Sequence, residues 1–128
     1  MRYLLDTHAF LWFISENHGL SEIAKDIIKK ATNEIFLSVV SVWEIAIKTQ
    51  LGRLQIEEEV GPFILSELAK NNFLPLPITI SHAAYVTKLP DIHKDPFDRM
   101  LVAQSNVEEM TLISGDQPIR QYQVEIAW

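Results

Sequence analysis

Four acidic residues, far apart in the sequence, occupy comparable places in the predicted secondary structure: Asp6, Glu44, Asp98 and Asp116. Each stands where a strand-like apolar run gives way to a helix, or on the first turn of that helix. If these runs form one parallel sheet, the four carboxylates meet at its carboxyl edge, where open α/β folds place their sites. Carboxylates crowded in this way cannot all stay ionised without cations, so the pattern predicts a divalent-metal site.

The chemistry that such a site suits best is the hydrolysis of phosphodiester bonds. Hard carboxylate oxygens hold Mg²⁺ or Mn²⁺, and the metal polarises a phosphate and lowers the pKa of an attacking water. With two ions about 4 Å apart, both the attacking and the leaving oxygen are stabilised. No histidine or cysteine has to join the ligands.

Each acid also has an ordinary structural explanation. Asp6 and Asp116 stand where N-caps are expected. Glu44 follows Ser41 at the spacing of a capping box, and Asp98 lies on a first turn, where negative charge favours the helix dipole. Serine, threonine and asparagine cap helices as well as aspartate does, however, so capping alone does not require an acid at every one of these positions.

The elements that must position these acids alternate between strands and helices. Short apolar runs predict strands at 2–5, 35–39, 73–78, 111–113 and 124–127, the third of them a possible edge strand because it contains two prolines. Periodicity and capping residues predict helices from Asp6, Ser21, Ser41, Glu57, Ser81 and Asp95, and a helical turn from Asp116. This alternation favours an α/β sandwich with a central, mainly parallel sheet.

Length and composition indicate one domain, 1–128, of an ordinary globular kind. Apolar residues make up 48% and charged residues 22% of the chain, and there is no cysteine, which excludes disulfides and thiolate chemistry and fits a reducing cytoplasm. An acid at position 6 comes too early for a signal peptide, and no apolar run is long enough to cross a membrane. The net charge of −6 argues against a broad electrostatic grip on nucleic acid, although bound divalent cations would reduce it locally.

Four stretches of the chain resemble the PIN-domain nucleases, and most closely the VapC-like toxins of bacterial toxin–antitoxin pairs. They are LLDTH at 4–8, SVVSVWEI at 38–45, DPFDRMLVAQ at 95–104 and ISGD at 113–116, and together they extend over essentially the whole chain. The resemblance implies a PIN-like three-layer α/β sandwich and an endoribonuclease that depends on Mg²⁺ or Mn²⁺.

In this family the four acids named first would form the acidic quartet of the site, and Ser114 would support it. The resemblance further implies a homodimer and a cognate antitoxin whose C-terminal segment lies along the active-site groove. Asp95 is a second acid close to Asp98, and the sequence leaves open which of the two approaches the metal.

Several other residues are candidates for supporting roles. Arg99 could steady a phosphate or orient a carboxylate, with a surface ion pair as the alternative. Thr7 is either a helix cap or a support for the site, the cap being the commoner case. Possible contacts with RNA come from His8, His93, Lys48 and Lys94, although solvated side chains are the usual state of such residues. Trp12 and Trp43 recur at helical spacing with apolar neighbours, which favours core or dimer packing over base stacking.

Two other functions compete with a nuclease. The first is a PIN-fold binding module without catalysis, in which the acids act only as helix caps. The second is an aspartyl-phosphate phosphatase with Asp6 as nucleophile. Such enzymes want an acid two residues after the nucleophile or a late lysine, whereas position 8 is His and no lysine follows Asp116.

Overall fold

Five strands and six α-helices make up the protein, and the computed structural model describes residues 1–128. The strands are β1 (Arg2–Leu5), β2 (Glu34–Ser38), β3 (Leu74–Leu76), β4 (Thr111–Ile113) and β5 (Ile126–Ala127). The helices are α1 (Thr7–Ile14), α2 (Glu22–Lys29), α3 (Val39–Gln50), α4 (Val60–Asn71), α5 (Ile80–Tyr85) and α6 (Pro96–Glu108), with 3₁₀ turns at Val86–Lys88 and Ile119–Gln121.

The five strands form one sheet in the order β3-β2-β1-β4-β5, and every neighbouring pair is parallel. The predicted α/β sandwich with a central parallel sheet is therefore confirmed. β3 is an edge strand, which explains how Pro75 is tolerated there. The chain builds outward from β1 to β3 and then returns to the other side of β1 for β4. The strand order thus reverses between β1 and β4, and open α/β sheets bind ligands at such a point.

The sheet separates two hydrophobic clusters. Neighbouring strand residues point to opposite faces, so Leu5 and Ile113 join one cluster while Leu4 and Leu112 join the other. Buried residues of α1, α2 and α4 complete the first cluster, and those of α6 complete the second. This three-layer packing fixes the sheet between helices and leaves the carboxyl ends of the strands uncovered by core residues.

Most predicted helix starts are confirmed by their caps. Asp6, Ser21 and Asp95 each accept a backbone hydrogen bond as the N-cap of α1, α2 and α6. The predicted helix at 57–72 starts late, at Val60, so that Pro62 falls within its first turn, where proline removes no helical hydrogen bond. The helix predicted from Ser81 starts at Ile80, with Thr79 as its cap.

The predicted start of the third helix is wrong. Ser38, and not Ser41, is the N-cap of α3, and its hydroxyl accepts from the Val40 N–H at 3.0 Å. The two valines after Ser38 looked like a continuing strand because β-branched residues favour strands, yet Val40 is buried as part of the helix. The capping box with Ser41 does not exist, and Glu44 lies in the second turn of α3 rather than the first.

None of the helices has both the length and the apolar character needed to span a membrane.

Candidate metal centre

A small cavity of about 120 Å³ lies beyond the carboxyl ends of β1 and β4. No apolar residue lines it. Its lining residues are Asp6, Thr7, His8, Glu44, Lys48, Asp95, Asp98 and Asp116. The structure therefore brings all four of the acids singled out in the sequence into one place and adds Asp95 as a fifth.

Asp6 and Asp116 are positioned by the two strands at the centre of the sheet. Asp6 directly follows β1, is 4% exposed, and accepts from the Ala9 N–H at 2.6 Å. Burial raises the pKa of Asp6 above its usual range, aided by the charge of Asp116, whereas hydrogen bonds from the Ser114 side chain and from Ala9 and the charge of His8 oppose this rise. The buried Ser114 hydroxyl also accepts from the Asp116 N–H at 3.1 Å, so this serine supports both acids.

Glu44 reaches the cavity from α3 and is held at both of its oxygens. The Thr7 hydroxyl donates to Glu44 Oε1 at 2.6 Å, and Lys48 Nζ donates to Oε2 at 2.7 Å. Ser41 Oγ lies 2.9 Å from Thr7 Oγ1 and extends this chain of hydrogen bonds into the protein interior. Thr7 is therefore a support for Glu44, and the helix-cap interpretation is wrong because Asp6 is the cap of α1.

Asp98 lies on the first turn of α6, where other acids surround it. Burial and, after it, the charges of Asp95, Asp116, Glu44 and Asp6 together raise the pKa of Asp98 to about 8. Asp95 caps α6 with its Oδ1, which accepts from the backbone N–H groups of Phe97 and Asp98. One oxygen of Asp95 is thus committed to the helix, and this leaves Asp98 with the more available carboxylate of the two.

A second chain of contacts reaches Asp98 from the opposite side. His93 Nε2 lies 3.4 Å from Asp98 Oδ2, and His93 Nδ1 lies 2.9 Å from the hydroxyl of Tyr122. Arg99 donates to the same hydroxyl at 3.1 Å. The ligand atoms of His93, Asp98 and Asp116 all lie within 4.8 Å of one another, close enough to share one ion. Neither the sequence spacing nor the composition indicated Tyr122.

Two predicted candidates lie away from the carboxylates. Arg99 directs its guanidinium to the carbonyl oxygens of Pro90 and Val86, at 2.8 and 3.4 Å, in addition to Tyr122. Together with Lys94 it lines a different cavity of about 510 Å³. Neither basic side chain lines the carboxylate cavity, whereas Lys48 and His8 do.

The donor set of the cavity fits a hard divalent cation. Five carboxylates face one ammonium group, that of Lys48. Burial is the main cause of the raised pKa values of Asp6 and Asp98, and the charges of neighbouring acids add to both. Oxygen ligands in this number are what Mg²⁺ and Mn²⁺ take. A cation at the ligand atoms of His93, Asp98 and Asp116, which lie within 4.8 Å of one another, would offset part of this negative charge.

The comparisons with known proteins agree on the family and the fold. A family model described as the PIN domain matches residues 3–125. VapBC2 from Rickettsia felis bound to a DNA fragment from its promoter has a TM-score of 0.75 at 13% identity, with 100% of this chain and 99% of that chain covered. VapBC-1 from nontypeable Haemophilus influenzae has a TM-score of 0.64 at 15% identity, with 99% and 97% covered.

A third solved structure, FitAB bound to an IR36 DNA fragment, has a TM-score of 0.64 at 17% identity, with 98% of this chain and 93% of that chain covered. No match was found among curated protein sequences. Identities this low establish a shared fold and leave the chemistry to be argued from the residues.

The raised pKa of Asp98 predicts how the metal-free protein responds to pH. Because this pKa rises from 3.8 to about 8 on folding, the folded state holds a proton that the unfolded chain has lost over that range. The stability that this proton provides is fully present below the pKa of the unfolded chain and is lost as pH rises through the pKa of the folded protein. We therefore expect the Asp98→Asn variant, in EDTA, to lose less stability than wild type as pH rises. Its melting temperature should be a few degrees higher than that of wild type at about pH 8.

Thermal unfolding across pH, with chelator present, measures this effect. Asp91→Asn is the matched control, because Asp91 is exposed and lies outside the carboxylate cavity. If the melting temperature of Asp98→Asn depends on pH in the same way as that of wild type and of the control, the carboxylate of Asp98 is not the source of the lost stability.

Proposed function

The chain belongs to the PIN domain family, and from that membership we propose that it is a metal-dependent endoribonuclease, the toxin of a toxin–antitoxin pair. The observation that carries this proposal is the single small cavity in which Asp6, Glu44, Asp98 and Asp116 meet. Helix capping explains Asp6 and Asp95, but it does not explain Glu44, which is buried in the second turn of α3 and faces the other acids.

In this proposal the four acids hold Mg²⁺ or Mn²⁺, which when bound polarises the scissile phosphate and lowers the pKa of a water. The side chains of the protein orient these carboxylates. Thr7 and Lys48 fix both oxygens of Glu44, and Ser114 holds the backbone of Asp116. Supports of this kind keep carboxylates oriented, and their loss commonly costs about 10- to 100-fold in metal affinity or activity.

The substrate contacts we propose are those that border the carboxylates. His8 is exposed and lines the cavity, and Lys48 is partly exposed beside Glu44, so both can approach an RNA phosphate from the solvent side. His93 lies next to Asp98 and is placed to contact the substrate or to hold that carboxylate. Lys94 lies farther from the acids and suits a contact with the RNA backbone outside the cavity.

The cleavage of RNA tests the proposal directly. We expect cleavage with Mg²⁺ or Mn²⁺, none with chelator, and a loss of at least about 100-fold in Asp6→Asn and Asp98→Asn, which is the upper end of what a supporting residue costs. Asp26→Asn, at an exposed position on α2, is the control and should retain full activity. Cleavage that persists in chelator or in both site variants would contradict a carboxylate-held metal.

Thermal melts with and without Mn²⁺ separate the nuclease from a PIN-fold binding module. Metal that binds only the folded state raises its stability, so wild type and Asp26→Asn should melt higher with Mn²⁺. Asp98→Asn should lose most of that increase while remaining folded. If Mn²⁺ leaves the wild-type melt unchanged and no RNA is cut, the acids act as helix caps and the binding module is the better description.

A second copy of the chain is the first partner that we propose. Val39 and Trp43 are 44% and 58% exposed on α3, and the Trp43 ring packs at an angle on Phe97 of α6, with 5.3 Å between the ring centroids. Apolar side chains exposed together in this way are typical of interaction surfaces. We expect wild type to sediment as a dimer and Trp43→Ser to shift toward the monomer. Ile23→Ser, which changes a similarly exposed residue on α2, should leave the dimer intact, and a monomeric wild type would refute this surface.

The second partner is a cognate antitoxin, in keeping with the VapBC and FitAB complexes among the similar structures. A cavity of about 420 Å³ extends from His8 and Lys48 to the apolar side chains of Leu11, Leu54 and Phe63. An extended or helical segment lying there would contact His8 and Lys48, which also line the carboxylate cavity. Co-expression with the product of the neighbouring gene should give a stable complex with suppressed RNA cleavage, and an unaltered rate in such a complex would contradict this assignment.

A further inference from the structure

An aromatic pocket opens directly beside the carboxylate cavity. Its volume is about 390 Å³, and it shares Asp6, His8 and Asp116 with that cavity. The rest of its wall is formed mainly by the indole rings of Trp12 and Trp128. Both tryptophans are only partly buried, so ring surface remains available to a ligand. The sequence favoured core or dimer packing over base stacking for Trp12, and its position in the wall of this pocket makes stacking the alternative to test.

The rings of the pocket are held in place by their neighbours. His8 stacks on Trp12 with 5.4 Å between ring centroids and 24° between planes, and Trp12 lies 6.1 Å from Trp128. Trp128 follows β5 directly and rests on the backbone of Gly115, where an added Cβ would lie only 2.4 Å from the indole ring. Only glycine admits the ring at this distance, so the SGD sequence at 114–116 serves Trp128 as well as the acids.

We infer that the aromatic pocket binds a nucleobase adjacent to the scissile phosphate, an inference that rests on the proposed nuclease function. Asp6 and Asp116 line both cavities, so a phosphate that met a cation held by these acids would have its neighbouring base at the mouth of the aromatic pocket. The size of the pocket falls in the range of about 300–1,000 Å³ that is usual for ligand sites.

The charges around the site favour stacking as the source of affinity. Lys48 is already paired with Glu44, and Arg99 donates to backbone carbonyls on another side of the protein. With a net charge of −6, the chain has little general attraction for a polyanion. Aromatic rings bind bases without using charge, and every base has a face that can stack. Because purines stack more strongly, the pocket favours a purine at its position of the RNA.

Cleavage kinetics of Trp128→Leu on a single-stranded oligoribonucleotide test the inference. Leucine retains apolar volume against the core and Gly115 but cannot stack as an indole does. We expect kcat/KM to fall roughly 5- to 150-fold, mostly through KM, which corresponds to the loss of one stacked base. Trp128→Phe should recover part of the loss. The Mn²⁺-induced rise in melting temperature should be unchanged in both variants, because neither alters a carboxylate.

A substrate change gives the matching test from the RNA side. Removing the base next to the mapped cleavage position should slow wild type by about as much as Trp128→Leu slows the intact RNA. The same abasic RNA should not slow the variant further, because the two changes remove one contact. Tyr85→Leu, an aromatic position remote from both cavities, is the control and should behave as wild type with either RNA.

The outcomes separate this inference from the function on which it rests. If wild type cleaves RNA and Trp128→Leu retains its KM, the nuclease stands and the nucleobase pocket is refuted. If the abasic and protein changes add fully, Trp128 acts through packing and the inference is also refuted. If wild type binds Mn²⁺ but cuts no RNA, the proposed function fails, and the inference fails with it.

Discussion

Repulsion among five carboxylates in one small cavity is the constraint on which the rest of this structure depends. Only Asp95 and Asp98 lie close together in sequence, so the approach of the other acids is imposed by the fold and not by local geometry. Burial raises the pKa of Asp98, and the charges of the four other acids raise it further. Hydrophobic packing on both faces of the sheet must outweigh this repulsion, and the two clusters of buried side chains provide the opposing free energy.

The repulsion is also reduced locally, because each acid contacts a different neighbouring group. Lys48 and Thr7 neutralise and orient Glu44, Ser114 holds the Asp116 backbone, and Asp95 is partly satisfied by the helix it caps. Asp98 has only His93 at 3.4 Å. It is therefore the least compensated acid of the set, in agreement with its raised pKa of about 8. Glu44 is therefore the most firmly held acid of the site, and Asp98 is the acid whose ionisation responds most to a nearby charge.

The sequence predicted the central strands and the caps Asp6 and Asp95 because these features follow from local residue patterns. It predicted the convergence of the acids because the carboxyl ends of parallel strands meet at one edge of the sheet. It failed at Ser41, because the two valines after Ser38 favour a strand locally, whereas both belong to α3 in the structure. It could not foresee Tyr122 beside His93, or Ser41 beside Thr7, because these pairs are 29 and 34 residues apart. Nor could it tell that Arg99, next to Asp98 in sequence, donates to carbonyls elsewhere, since side-chain direction follows from packing.

The pairing of β1 with β4 has a consequence for the order in which the protein is made. Asp6 N–H donates to Ile113 O at 3.0 Å, so the residues that build the centre of the site are separated by nearly the whole chain. During synthesis the first acid leaves the ribosome long before the strand that completes its surroundings. A nascent chain in which β4 has not yet been synthesised lacks part of the ligand set and has an unpaired sheet edge. The site therefore cannot assemble before β4 has been synthesised, and fragments of the chain that lack β4 cannot form it.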